Sequence, residues 1–176
     1  MPYLYNFEKI KTRTISNFKK SLEKSNGILV ADLKVSDLIF HNKKAISTGH
    51  GIYIFKSSDE FLYVGKSSSR SFIERVPSHF DIRENSWFNT YLNRIIEFEY
   101  ATDLEDAARF ALNTYLLIIN FEEQANLEKH CSLLEKLLRG VLEPKFNMLS
   151  KRQQKKFENT VDLDYSIIEN INALQE

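Results

Sequence analysis

Gly51-Ile52-Tyr53-Ile54-Phe55, a polar connection Lys56-Ser57-Ser58-Asp59-Glu60, then Phe61-Leu62-Tyr63-Val64-Gly65-Lys66: this stretch decides the fold. Two short runs of β-branched and aromatic residues around a polar turn predict a β-hairpin. Pairing of the two strands can present the Tyr53 and Tyr63 hydroxyls on one face.

Beyond the hairpin, Ser71 and Glu74 have the spacing of a capping box, so a helix is expected from there, kept short by Pro77. Arg75 and His79, four residues apart, share a face of that helix. Ile96-Glu97-Phe98-Glu99-Tyr100 alternates apolar and polar, which predicts a third, half-buried strand. Thr102 and Glu105 make a second capping box opening a helix to about Asn120. A further helix is expected from Asn126, a suitable N-cap, to Leu142. Leu127, Leu134, Leu137, Leu138 and Val141 form its apolar stripe, and Pro144 ends it. Before the hairpin, Phe7, Ile10, Phe18 and Leu22 predict a helix from about Phe7 to Lys24, stopped by Ser25-Asn26-Gly27. Residues 28–31 are a short strand candidate. The expected fold is α/β of the α+β kind. A central antiparallel three-stranded sheet is flanked by helices and preceded by an N-terminal helical extension. Three segments follow: a basic extension (1–48), a central domain (49–150) and a C-terminal tail (151–176).

The chain of 176 residues is 43% apolar and 27% charged, ordinary for a folded domain with a sizeable core. It contains no 18-residue apolar run and no secretory pattern after Met1. The lone Cys131 cannot form an internal disulfide, so a cytoplasmic setting and no membrane partner are expected. Net charge is zero but unevenly spread: nine Lys/Arg against four Asp/Glu in residues 1–48, 11 against 15 in 49–150, and four against five in 151–176. Arg13, Lys20 and Lys24 are therefore expected to supply phosphate contacts or a dimer surface that the acidic middle does not. There is no Gly-rich phosphate loop, no cysteine-based zinc site and no nucleophile elbow.

The ordered series Gly51-Ile52-Tyr53, nine intervening residues, Tyr63-Val64-Gly65-Lys66, Arg75 with His79, Glu135, and Pro144-Lys145-Phe146-Asn147 resembles the GIY-YIG nuclease superfamily. The likeness covers about residues 49–150. Its Arg75–His79 and Glu135–Asn147 spacings look most like restriction-type and homing-type members. The resemblance implies a metal-dependent endonuclease acting on a nucleic acid, most simply double-stranded DNA. Tyr53 would be the general base, Tyr63 a water-positioning group, Arg75 a contact to the scissile phosphate and His79 a bond to phosphate or to a tyrosine. Glu135 would anchor one Mg²⁺ or Mn²⁺, and Lys66 and Asn147 would be supporting nucleic-acid-binding residues.

The chemistry is coherent on its own terms. Phosphodiester hydrolysis needs an activated water and stabilisation of added negative charge, and Mg²⁺ accepts few carboxylates beside waters and substrate oxygens. A tyrosine with a pKa near ~10 needs neighbouring positive charge to act as a base at neutral pH. Taken singly, each residue also has an ordinary reading: sheet aromatics, a surface arginine, a structural histidine, a solvated edge glutamate, an asparagine fixing a turn. Two other functions fit the same residues: a nucleic-acid-binding or regulatory protein that does not cut, and an RNA-directed nuclease. Palindromic double-strand cutting would call for a homodimer.

Overall fold

The computed structural model describes residues 3–46, 48–122 and 127–175. It is a mixed α/β fold. Strand β1 (Leu4–Asn6) leads into helices α1 (Phe7–Ile10) and α2 (Ile15–Lys24). Strand β2 (Ile28–Leu29) and a small hairpin, β3 (Phe40–His41) with β4 (Lys44–Ala45), precede the main hairpin, β5 (Gly51–Lys56) and β6 (Phe61–Ser67). Then come α3 (Phe72–Ser78), α4 (Thr90–Glu97), α5 (Leu104–Leu112), β7 (Tyr115–Asn120), α6 (Leu127–Leu142), α7 (Lys151–Glu158) and α8 (Ile167–Ala173).

The main hairpin forms as expected, with Tyr53 opposite Gly65 and Phe55 opposite Tyr63. The sheet around it differs from the expected three antiparallel strands. It has five strands and is mixed: β5 lies between β6 and β7, and the far edge of β7 is shared by parallel β1 and antiparallel β2.

The strand expected at 96–100 is instead the end of α4 and its C-terminal turn. Tyr91, Leu92 and Ile95 are buried at helical spacing and outweigh the short alternation that follows. Phe98 N–H donates to the Arg94 carbonyl, Tyr100 N–H to the Ile95 carbonyl, and Glu99 takes φ +62°, a left-handed helix stop. The sheet's third antiparallel strand is β7, which the expected 102–120 helix had absorbed. That helix stops at Leu112. Tyr115–Asn120 is buried on both faces, so it lacks the alternation that marks a half-buried strand. The helix starts one residue later than expected, with Asp103 as N-cap accepting from Asp106 N–H at 2.8 Å. The expected N-cap Asn126 lies outside the described residues; the helix itself is present from Leu127.

The expected helix over 7–24 is two helices. Thr14 caps a new start at Ile15, accepting from Asn17 N–H at 3.4 Å. The carbonyls of Lys11 and Arg13 turn away to accept from Ile168 and Ile167 N–H, both at 2.9 Å. The first and last segments therefore grip each other, and both enter the core. Phe7, Ile10, Ile15, Phe18 and Leu22 share one apolar cluster with Ile52, Ile54, Ile119, the α6 stripe, Phe157, Ile167 and Ile171. Truncating residues 1–24 would thus remove a β-strand and core side chains, not only basic charge.

The opposite face of the sheet carries Tyr53, Phe55, Tyr63 and Ile118, packed against α3, α4 and α5. Helices cover both faces, so the sheet is the middle of three layers. Lys56, in the polar turn by sequence, is buried. Its ammonium donates to the Leu22, Glu23 and Ser25 carbonyls and so caps α2 from the sheet.

Candidate active site

The two glycines of the hairpin have steric reasons. At Gly51, φ is +152° and a Cβ would lie 1.9 Å from the Ile119 carbonyl oxygen, so β7 can approach only a glycine. At Gly65, a Cβ would lie 2.3 Å from both Cζ and the hydroxyl oxygen of Tyr53. The cross-strand partner of Tyr53 must lack a side chain for the phenol to occupy its place.

Tyr53, Tyr63 and His79 meet on one face. The two tyrosine rings lie 6.4 Å apart at 19°, and the His79 ring is 5.3 Å from Tyr53 and 5.4 Å from Tyr63. The α3 capping box, Ser71 with Glu74, starts the helix as expected, and the helix carries Arg75 one turn before His79. The Tyr53 hydroxyl and His79 Nε2 are 2.6 Å apart. His79 is fully buried and its Nδ1 has no partner. An unpartnered lone pair costs less than an unpartnered buried N–H, so the proton belongs on Nε2 and His79 donates to Tyr53. The Tyr53 hydroxyl is then free to donate elsewhere. Burial, and then Arg75, pushes the His79 pKa down to about 3, so the imidazole is neutral.

Burial also holds the Tyr53 pKa well above the ordinary phenol range, Tyr63 and Glu135 push it further up, and the Arg75 guanidinium opposes them by charge and hydrogen bonding. Tyr63 is likewise raised by burial and lowered by Arg75. Tyr53 is therefore a neutral phenol in the free protein.

Lys66 and Glu135 come from the other side of the sheet. Lys66 Nζ donates to Ser132 Oγ at 2.7 Å and stands 4.0 Å from the Glu135 carboxylate. Glu135 is not a solvated edge residue: its side chain is 21% exposed, and burial raises its pKa against the pull of Lys66, Arg139 and Arg75. The two groups of residues meet in a cleft of about 310 Å³, lined by Tyr53, Tyr63, Gly65, Lys66, Arg75 and Glu135 among others. Residues separated by 82 positions, Tyr53 to Glu135, thus share one cavity.

Asn147, expected as a supporting nucleic-acid-binding residue, bonds the backbone of β6. Its amide donates to the Val64 carbonyl at 2.6 Å and accepts from Val64 N–H at 3.1 Å, while Lys145 and Phe146 N–H pair with the Phe61 and Leu62 carbonyls. Pro144–Asn147 closes the outer edge of β6, and the Asn147 side-chain amide bonds Val64 through both its oxygen and its nitrogen. Arg13, Lys20 and Lys24 are exposed, and α2 packs on the face of the sheet opposite Tyr53. Sequence spacing did not single out Arg70 and Phe88, which also line the cleft; the Arg70 guanidinium lies 4.2 Å from the Phe88 ring centroid and that of Arg75 5.7 Å. His50, with no matched role by sequence, holds the end of β6 and its turn, with Nδ1 3.1 Å from the Arg70 carbonyl. Buried Cys131, its thiol pushed up to about 12 by burial, is a core residue.

Among the described residues no group of three or more His, Cys, Asp or Glu side chains converges as a metal cage. A hard divalent cation fits the cleft only in the manner that uses one carboxylate, Glu135, with remaining positions left to water and substrate. No helix among the described residues is long and apolar enough to cross a membrane. Compared with family models, with curated proteins and with solved structures, the chain shows no match.

Proposed function

We propose that this protein is a metal-dependent endonuclease that hydrolyses DNA phosphodiester bonds. The observation that supports this reading is the convergence of Tyr53, Tyr63, Lys66, Arg75 and Glu135 on one cleft, from both faces of the sheet. A phosphate in that cleft meets the planar donor fork of Arg75 and the ammonium of Lys66, and no aliphatic substrate group requires such a pair. Hydrolysis forms a bond from water oxygen to phosphorus, breaks the bond to the sugar oxygen, takes one proton from the attacking water, and ends with a proton from solvent on the leaving sugar oxygen. The Tyr53 oxygen is the group built to accept the proton of the attacking water. It receives hydrogen bonds from His79 and Arg75, and both favour the phenolate over the phenol. Tyr63, one ring away, orients the water. Glu135 would hold a Mg²⁺ or Mn²⁺, which supplies Lewis-acid polarisation of the phosphate and positive charge in the cleft.

Nicking and linearisation of supercoiled plasmid with and without Mg²⁺ or Mn²⁺ tests the reading. Activity is expected only with the cation, and it is lost in Glu135→Ala and in Tyr53→Phe. Full activity in either variant refutes the assigned roles. The neutral Tyr53 of the free protein favours one competing reading, a binder that does not cut. That reading predicts salt-dependent DNA binding without cleavage in either metal. Matched DNA and RNA substrates separate DNA cleavage from RNA cleavage.

A further inference from the structure

Trp87 is the only tryptophan of the chain and is 88% exposed. An indole left in water forgoes the burial that normally places this side chain in a core or an interface. The loop that carries it is firmly built. Asn89 Nδ2 donates to the Asp81 carbonyl at 3.0 Å, Ser86 N–H donates to the Arg83 carbonyl at 3.0 Å, and Arg83 Nε donates to Asp81 Oδ1 at 2.9 Å. The next residue, Phe88, carries the Arg70 and Arg75 guanidiniums over its ring and forms a wall of the candidate active cleft. Phe88 also lines a second, neighbouring cleft of about 630 Å³, whose lining includes Trp87. An exposed aromatic ring therefore stands one residue from the side chain that braces the phosphate-binding arginine. The acidic groups that line this second cleft are engaged: Asp81 by Arg83, and Glu74 in the Ser71 capping box.

We propose that Trp87 stacks on a nucleobase flanking the scissile phosphate, so that the DNA is gripped by Arg70 and Arg75 on its backbone and by the indole on a base. This rests on the nuclease reading. The cations of the cleft match a phosphate backbone, and the indole offers the apolar face that a base needs. A base within a duplex must be partly unstacked to meet that face, so the bound DNA is kinked at this step. DNA with an unpaired base there binds more tightly than a fully paired duplex, because the unstacking is already done.

The experiment uses the full chain carrying Glu135→Gln, so that substrate survives. Binding of a labelled DNA duplex is followed by anisotropy, and binding of the unlabelled duplex by intrinsic tryptophan fluorescence, which reports this one residue. Expected are quenching with the same midpoint as the anisotropy, and binding weakened roughly 5- to 150-fold by Trp87→Ala with an unchanged salt slope, since no phosphate contact is lost. Trp87→Phe should recover most of the affinity. Exposure makes these variants harmless to folding. Anisotropy-detected binding with unchanged tryptophan emission overturns the proposal and leaves the nuclease reading intact, as does unaltered affinity in Trp87→Ala. A change in emission that follows protein concentration without DNA identifies docking between copies and also overturns it. Absence of any DNA binding or cleavage by the unmutated chain overturns both.

Discussion

Gly65→Ala is expected to damage the protein through Tyr53 alone, and a double-mutant cycle can isolate that effect. A Cβ at position 65 would fall 2.3 Å from Tyr53 Cζ, 2.3 Å from its oxygen and 2.5 Å from Cε2. Carbon atoms rest about 3.5–4 Å apart, so the ring would have to move by more than about 1 Å. Tyr53 is fully buried, and Phe55, Tyr63 and His79 pack around its ring, so any shift of the ring disturbs these neighbours. Overpacking of this kind costs about 1–3 kcal/mol. For a chain of this size that lowers Tm by roughly 2–12 °C. Tyr53→Leu removes the three clashing atoms while keeping an apolar side chain. In that background Gly65→Ala should cost close to nothing, or gain about 0.5–1 kcal/mol from replacing a strand glycine. Thermal and urea melts of the four proteins, followed by circular dichroism, give the coupling energy directly. Additivity within about 0.5 kcal/mol would show that the glycine is not there for the tyrosine, and the steric account of the paired motifs would fall.

Glu135→Gln should abolish metal-dependent cleavage while leaving Tm equal or higher, because burial already disfavours the charged carboxylate; a clear loss of stability would make Glu135 a structural residue. Buried His79 titrates at about 3 in the fold against 6.5 as its ordinary value. The unfolded chain therefore binds a proton first as pH falls. This site's contribution to stability is complete above pH 6.5 and is lost from there down to about pH 3, by roughly 5 kcal/mol in all. A His79→Gln variant that keeps the wild-type slope of stability against pH over that window would contradict this. Asn147→Ala should cost about 1–3 kcal/mol by losing both bonds to Val64. Its DNA affinity, measured well below Tm, should not change; a specific loss of affinity would restore Asn147 to the binding surface. Charge reversal of Arg13, Lys20 and Lys24 together should reduce the salt slope of DNA binding with little change in Tm, and an unaltered slope would remove these three side chains from the interface.

The hairpin was readable because its determinants are local: two β-branched and aromatic runs around a polar turn. So were the α3 capping box and the α6 stripe, both set by short spacings. The third strand was not, for a physical reason. β7 is buried on both faces, so its pattern carries no period, while Ile96–Tyr100 alternates by accident at the end of a helix anchored by Tyr91, Leu92 and Ile95. Tertiary context chose between them. The site behaved likewise. Tyr53, Tyr63, Arg75, His79 and Glu135 were legible as an ordered series, but the division of labour was not. The Asn147 amide bonds Val64 at the sheet edge, and nothing in its spacing distinguishes an amide facing DNA from one facing Val64. Arg70 and Phe88 carry no motif; a turn and a loop bring them to the cleft, and only their side-chain contacts reveal it.

The pairing of β1 with β7 bears on how the chain is made as well as on what it becomes. Leu4 lies beside Ile118, and the Lys11 and Arg13 carbonyls wait for Ile168 and Ile167. A ribosome must therefore release the chain through Ile118 before Leu4 can pair with β7, and through Ile168 before the Lys11 and Arg13 carbonyls find their donors. Until then Phe7, Ile10, Phe18 and Leu22 lack the core that shelters them. Such long-range closure slows folding and prolongs the time in which sticky segments are open to one another. Refolding should accordingly be slower than for a helical bundle of equal length, and yield on expression should fall with temperature and rise with chaperone supply.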